Sequence, residues 1–147
     1  MNITIKETNL EEAIKVYPKI KEFDRPEYGT VEYCENRIKD HDHLILAAYI
    51  NNEIVGYLIG YDKNQDGSFY CWLAGVDNNF RRLGILSKMM QKFEEYARNH
   101  NYQKITLKTV NDKREMLKFL VKNNWNFISV IKNELPILNE ILLEKEL

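Results

Sequence analysis

Cysteine, proline and glycine are all scarce here, at two, three and six among 147 residues. Cys34 and Cys71 cannot build a disulfide framework. No CxxC occurs, and His41, His43 and His100 make no zinc-ligand spacing with the cysteines. Two free thiols in a reducing cytoplasm are expected, no metal is expected, and His41-Asp42-His43 reads as a solvated turn before a strand. The few glycines and prolines leave no linker, repeat or low-complexity segment. An excess of charge is also missing: 21 Lys and Arg face 22 Asp and Glu, a net −1. A general nucleic-acid partner is therefore not expected, because the basic surplus that neutralises phosphates is absent. No apolar run nears the roughly 18 residues of a membrane span; the longest, Leu44 to Ile50, is strand-sized, so no membrane partner is expected. The start, MNITIKETNLEE, carries neither a basic leader nor an apolar signal core. What remains is 44% hydrophobic and 29% charged, enough for a core, and residues 1–147 are expected to form one cytoplasmic domain.

Ile3 and Ile5 alternate with polar residues, as in a half-buried strand. Asn9 followed by Glu12 resembles a capping box, and Leu10, Ala13, Ile14 and Tyr17 keep helical spacing up to Pro18, whose ring disturbs a helix. Asp24 to Gly29 reads as a loop, after which Thr30 caps a helix with the stripe Val31, Cys34 and Ile38. Leu44–Ile50 and Ile54–Tyr61 flank Asn51-Asn52-Glu53 as a hairpin, and Ser68–Val76 adds a third antiparallel strand. A long helix should run from Ile85 to about Asn101 on Ile85, Met89, Phe93 and Tyr96, with Leu86, Met90 and Ala97 beside them. Lys104–Val110 reads as a strand, Lys113–Asn124 as a helix and Asn126–Lys132 as a strand. Glu140–Leu147 is taken as a last strand against its helix propensity. The order predicts a mixed α/β (α+β) domain.

The segment Phe80-Arg81-Arg82-Leu83-Gly84-Ile85-Leu86-Ser87 joins a strand to that long helix. Gly84 permits a tight turn and close approach of a ligand to the main chain. The first helical turn leaves N–H groups unpaired at the positive end of the dipole, which suits phosphate. Arg81, Arg82 and Ser87 add donors. Alternatively, the arginines are a solvated loop and Gly84 only a turn. Neither GxxxxGK[ST] nor GxGxxG is present.

The octet resembles the acetyl-coenzyme A loop of the GNAT superfamily of N-acetyltransferases, V-x-P-x-x-[RQ]-x-x-G-x-[GA]. Val76, Arg81 and Gly84 stand at matching positions, while Asn78 replaces the proline and Leu86 the last small residue. The element order of the whole chain is also that superfamily's. Phe69 to Val76, then Gln91 with Glu94 and Ala97, then Lys108-Thr109-Val110-Asn111 with Arg114, Met116 and Leu117 resemble segments of one bacterial subgroup.

The resemblance implies a predominantly antiparallel sheet, splayed at a cofactor slot and flanked by helices. It implies acetyl-CoA as co-substrate, with the pantetheine arm on backbone groups of Leu73, Ala74, Gly75 and Val76. The pyrophosphate would sit on amides from Arg82 through Leu83, Gly84, Ile85 and Leu86 to Ser87. Gly75 is expected to mark a bulge that opens the slot, rather than only close packing beneath an aromatic. Asn111 reaches the cofactor or simply ends a strand; Arg114 meets a phosphate or makes a surface ion pair.

The reaction implied is attack of a primary amine, on a small molecule or a protein, on the acetyl thioester. The tyrosine that many members place in the last helix falls at Leu120 here. Tyr70 is the substitute acid, or else a packing residue, and Glu22, Asp24 or Glu27 supplies a base, or else is solvated. If residues 22–28 wall the acceptor site, their net negative charge favours cationic amines. The different-class rival is a non-catalytic acyl-CoA sensor on the same fold.

Overall fold

Asn51 and Asn52 both take left-handed backbone angles, φ 51° and 65°, which lets His43–Ile50 fold directly back onto Glu53–Tyr61. The computed structural model describes residues 2–147. Its strands are β1 (Ile3–Glu7), β2 (His43–Ile50), β3 (Glu53–Tyr61), β4 (Ser68–Val76), β5 (Lys104–Val110), β6 (Asn126–Ile131) and β7 (Glu140–Glu146). They form one sheet in the order β1-β2-β3-β4-β5-β7-β6. Every neighbouring pair is antiparallel except β4 with β5. The mixed, mostly antiparallel sheet is the one the sequence predicted.

The last strand shows why local propensity lost. β7 pairs with β5 on one side and β6 on the other, and its alternate residues Ile141 and Leu143 are buried. Two complete ladders and a buried apolar face outweigh the few tenths of a kcal/mol per residue by which Glu, Leu and Lys favour helix.

Four helices flank the sheet: α1 (Leu10–Ala13), α2 (Val31–Ile38), α3 (Ile85–Asn99) and α4 (Arg114–Lys122). The Asn9 side chain caps α1 by accepting from the Glu12 N–H at 2.9 Å, and Thr30 caps α2 through the Tyr33 N–H. Past Ala13 the chain tightens into a 3₁₀ helix over Ile14–Lys19, with Pro18 inside. At three residues per turn the buried positions become Leu10, Ala13 and Val16. Ile14 and Tyr17, expected on the buried stripe, are only half-buried. α3 buries Ile85, Met89, Met90, Phe93 and Ala97. One core lies between the sheet and α3 with α4; a second lies under α1, α2 and their connection. Among the described residues no helix is long and apolar enough to cross a membrane.

The functional geometry comes from one interrupted ladder. β4 pairs with β5 only from Ser68–Lys104 to Cys71–Leu107. On the other side of β4 the register slips, with Ile59 opposite Leu73 and Gly60 opposite Cys71, so Trp72 is the extra residue of a bulge. Beyond it β4 stays with β3 to Val76, while β5 stays with β7 to Val110. The sheet opens as a wedge between them. The bulge expected at Gly75 is therefore at Trp72. Gly75 instead makes room, since a Cβ there would lie 2.7 Å from Ile20 Cδ1 and 3.0 Å from Phe23 Cζ.

Candidate functional site

The wedge is the floor of a cleft of about 830 Å³. Its walls are Trp72–Val76 of β4, Leu107–Val110 of β5, the turn at residues 80–87 and the start of α4. The residues singled out in the sequence at 73–76, 81, 82, 84–87 and 114 all line it. Leu83 sits in the same turn, 39% exposed.

The turn owes its shape to two left-handed residues, Arg82 at φ 65° and Gly84 at φ 79°. A Cβ at Gly84 would meet nothing within 4 Å, so the main chain there faces open space. The first α3 amide with an internal acceptor is Lys88, bonded to Gly84 O at 3.1 Å. Among the described residues, the N–H groups of Arg82 through Ser87 find no acceptor within the protein. Unpaired amides at the positive end of a 15-residue helix form an anion-binding concavity. The Leu86 side chain packs partly against the core.

Arg81 does something other than wait for a phosphate. Its guanidinium forks onto Glu22, Nη1 to Oε2 at 2.8 Å and Nη2 to Oε1 at 2.6 Å. Nε donates to Val76 O at 3.0 Å and Nη2 also to Asn78 Oδ1 at 2.9 Å. Asn78 Oδ1 accepts in addition from the Lys21 N–H at 3.1 Å. Arg81, Glu22 and Asn78 thus clamp the α1–α2 connection to the end of β4. Asn78, which replaces a proline of the loop pattern, has a function that no local signal announced. The hydrogen bonds from Arg81 hold the Glu22 carboxyl below its ordinary range against the opposing effect of partial burial. A carboxylate engaged on both oxygens is not a free base, which corrects the expectation for Glu22.

Three further expectations change. Asn111 lies outside the cleft: its Nδ2 donates to Pro136 O at 3.1 Å and its N–H to Asn139 O at 2.8 Å, so it ties down the β6–β7 connection. Tyr70 also lies outside, edge-on to Tyr61 at 5.8 Å. Burial, then Cys71 and Tyr61, push its hydroxyl well above the ordinary tyrosine value, which makes it a poor acid. Leu120 is fully buried in the core, and no tyrosine lines the cleft. The negative charge expected of the wall at residues 22–28 is largely spent, because Glu22 is paired with Arg81 and Glu27 with Arg25 Nε at 2.8 Å, which leaves Asp24 as its one unpaired carboxylate among the described residues. Cys71 lines the cleft as a thiol, its pKa pushed up to about 12 by burial.

Sequence reasoning gave no site role to Ile20, Lys113 or Phe119, which line the cleft, and named Phe23, Phe80 and Met116 only as members of longer segments. For Met116 and Phe119 the amphipathic spacing of α4 was a usable signal. The others arrive from distant segments. Arg82 and Arg114 are exposed cleft cations with no ion-pair partner among the described residues.

The sequence model of the acetyltransferase (GNAT) family matches residues 8–125. YxbD, an uncharacterized protein of Bacillus subtilis (strain 168), is 30% identical over an alignment covering 66% of this chain and 70% of that protein. A GNAT family acetyltransferase from Elizabethkingia anophelis, solved with acetyl-CoA bound, superposes with a TM-score of 0.78 at 23% identity over 99% of both chains. Ard1 from Thermoplasma volcanium superposes with a TM-score of 0.81 at 20% identity, covering 100% of this chain and 99% of that one.

Proposed function

The chain belongs to the GNAT acetyltransferase family, and from that premise we propose that it is an acetyl-CoA-dependent N-acetyltransferase acting on a primary amine. The observation that carries the reading is the run of unpaired amides from Arg82 to Ser87, opening onto the same cleft as the unpaired edge of β4. A pyrophosphate fits those amides, with Arg82 and Arg114 as exposed cations beside it. A pantetheine arm fits the backbone edge of Leu73–Val76 that β5 leaves open, where Val76 O alone is already engaged, by Arg81 Nε, added as a further strand would be. Acetyl-CoA held this way would supply an activated acetyl group, for which Trp72 and Leu107 line the closed end of the wedge.

An alkylamine has a pKa of about 10.4 and must lose its proton before it attacks. Glu22 is committed to Arg81, the other cleft carboxylates Asp112 and Glu115 pair with Lys113 and Lys118, and His41, His43 and His100 lie outside the cleft. Water therefore takes the amine's proton, and the thiolate leaves unassisted or protonated through water. A second reading, an acyl-CoA-binding regulatory module, is favoured by the burial of Leu120 and the absence of a tyrosine from the cleft. Calorimetry with acetyl-CoA tests the binding shared by both. Release of free coenzyme A thiol in the presence of an amine panel separates them. Binding without amine-dependent thiol release would leave the regulatory reading, and no binding would end both.

A further inference from the structure

On the sheet face that α1 and α2 cover, near the closed end of the wedge, Arg37 of α2 and Lys63 of the β3–β4 connection are two cations that the cofactor cradle does not use. Trp72, a cleft residue, holds the Arg37 guanidinium over its ring at 4.6 Å from the centroid. The edges of Tyr28 and Tyr61 pack against the same indole, at 5.3 and 6.1 Å. Arg37 donates to Tyr33 Oη at 3.2 Å and Tyr61 Oη at 3.4 Å, both neutral partners. Lys63 Nζ lies 4.6 Å from the centroid of the Tyr70 ring, itself edge-on to Tyr61. Among the described residues neither Arg37 nor Lys63 has a carboxylate partner, whereas Arg25 has Glu27 and Lys108 has Glu140 at 3.1 Å.

The two cations also act on each other. Burial, followed by Lys108 and Arg37, draws the Lys63 ammonium below its ordinary value, with Glu140 opposing. Aromatic faces attract a cation by roughly 0.5–2 kcal/mol, but they cancel no charge. Of the acidic groups on the surrounding elements, Glu27 and Glu140 are paired, Asp24, Glu32 and Glu35 point to solvent, and in Lys63's own connection Asp62 accepts from the Gln65 N–H and Tyr102 Oη and Asp66 from Ser68. Uncancelled positive charge is left beside Trp72, where β4 and β5 part, with Arg37 half-buried and Lys63 exposed just outside the cleft lining.

We propose that the acceptor amine also carries an anionic group, a carboxylate or a phosphate, which Arg37 and Lys63 hold against the aromatic rim of Trp72. The planar guanidinium offers a fork to either oxyanion and Lys63 a point charge. Cationic amines, favoured if the α1–α2 connection were a negative wall, are repelled. The inference rests on the acetyltransferase reading of the cleft.

The experiment has a turnover arm and a binding arm. In the first, kcat/KM is measured by thiol release at saturating acetyl-CoA for γ-aminobutyrate, its amide, aminopropylphosphonate and diaminopropane. At least a tenfold preference for the carboxylate or phosphonate amine is expected, and which of the two leads identifies the anion. Lys63→Gln and Arg37→Gln should raise KM for the anionic amine at least fivefold with kcat little changed and acetyl-CoA affinity intact. Equal or better use of the amide or diamine would overturn the proposal.

In the second arm, inorganic phosphate and acetate are titrated against tryptophan fluorescence with coenzyme A saturating, so that the amide turn is filled. A saturable change that weakens in Lys63→Gln, an exposed position whose replacement spares the core, supports the subsite. No saturable change with either anion, or one that Lys63→Gln and a folded Arg37→Gln leave untouched, overturns it. If no amine is acetylated, the acetyltransferase reading fails in the first arm while the second still decides the anion subsite.

Discussion

Arg81 and Glu22, 59 positions apart, meet as a two-pronged ion pair with N–O distances of 2.8 and 2.6 Å. Each side chain is about one-third exposed. The pair fastens the α1–α2 connection, which roofs the cleft, to the loop that begins the amide turn. Cutting it should loosen the roof more than it alters the turn.

Glu22→Gln is expected to lower the unfolding free energy by about 1 kcal/mol near neutral pH, the range of a charge-assisted fork discounted for solvent exposure. Because the folded-state pKa of Glu22 lies below its ordinary value of 4.5, the pair contributes fully above that pH. The contribution is lost as pH falls through the folded value. Urea unfolding of wild type and variant should therefore differ at neutral pH and converge in strong acid. A constant difference across pH would mean that the carboxylate charge contributes nothing.

Gly84→Ala and Gly84→Glu probe the turn separately from its ligand. The left-handed φ of 79° makes any Cβ unfavourable, so Ala should cost roughly 1 kcal/mol of stability. Open space around the position lets both variants fold. Glu adds a negative charge where phosphates would sit, and acetyl-CoA affinity by calorimetry should fall at least tenfold. Equal affinity in a folded Gly84→Glu protein would remove the turn from the site.

Gly75→Ala tests the seat beneath Ile20 and Phe23. A methyl at 2.7 Å from Ile20 Cδ1 forces that side chain and the neighbouring ring to shift, at about 1–3 kcal/mol. Thermal unfolding of the double variant Gly75→Ala/Ile20→Val should recover part of the loss, because valine lacks Cδ1. Absence of any rescue would show that the glycine is needed for another reason.

Tyr70→Phe should leave kcat within about twofold of wild type, since the ring keeps its packing and the hydroxyl lies outside the cleft. Leu120→Tyr should not raise turnover and should cost about 1–3 kcal/mol through overpacking of a fully buried position. A large loss of kcat in Tyr70→Phe would return that hydroxyl to the chemistry.

Asn111→Ala should leave acetyl-CoA affinity within about twofold, because its side chain and amide are bonded to Pro136 and Asn139 rather than turned to the cleft. Faster hydrogen exchange in the β6–β7 connection is the expected effect. A large drop in affinity would place the residue back in the cofactor site.

Much of this molecule was legible in one dimension because its signals are local. Alternation marked β1 and β5, β-rich apolar runs marked β2, β3 and β4, Asn51-Asn52 marked the hairpin, and a spacing of three to four marked α3. Gly84 ahead of that helix marked the amide turn, since a turn and the helix end it opens are built from neighbouring residues. Three-dimensional structure decided whatever depends on partners far along the chain. It committed Arg81 to Glu22 instead of a phosphate, sent Asn111 toward the β6–β7 connection, and put Leu120 in the core. It moved the bulge from Gly75 to Trp72, because a bulge is set by the register of both strands and not by the glycine alone. It also set Arg37 over Trp72 and Lys63 over Tyr70, side chains that share no motif and come to one face of β4 only through the packing of α2 and the β3–β4 connection.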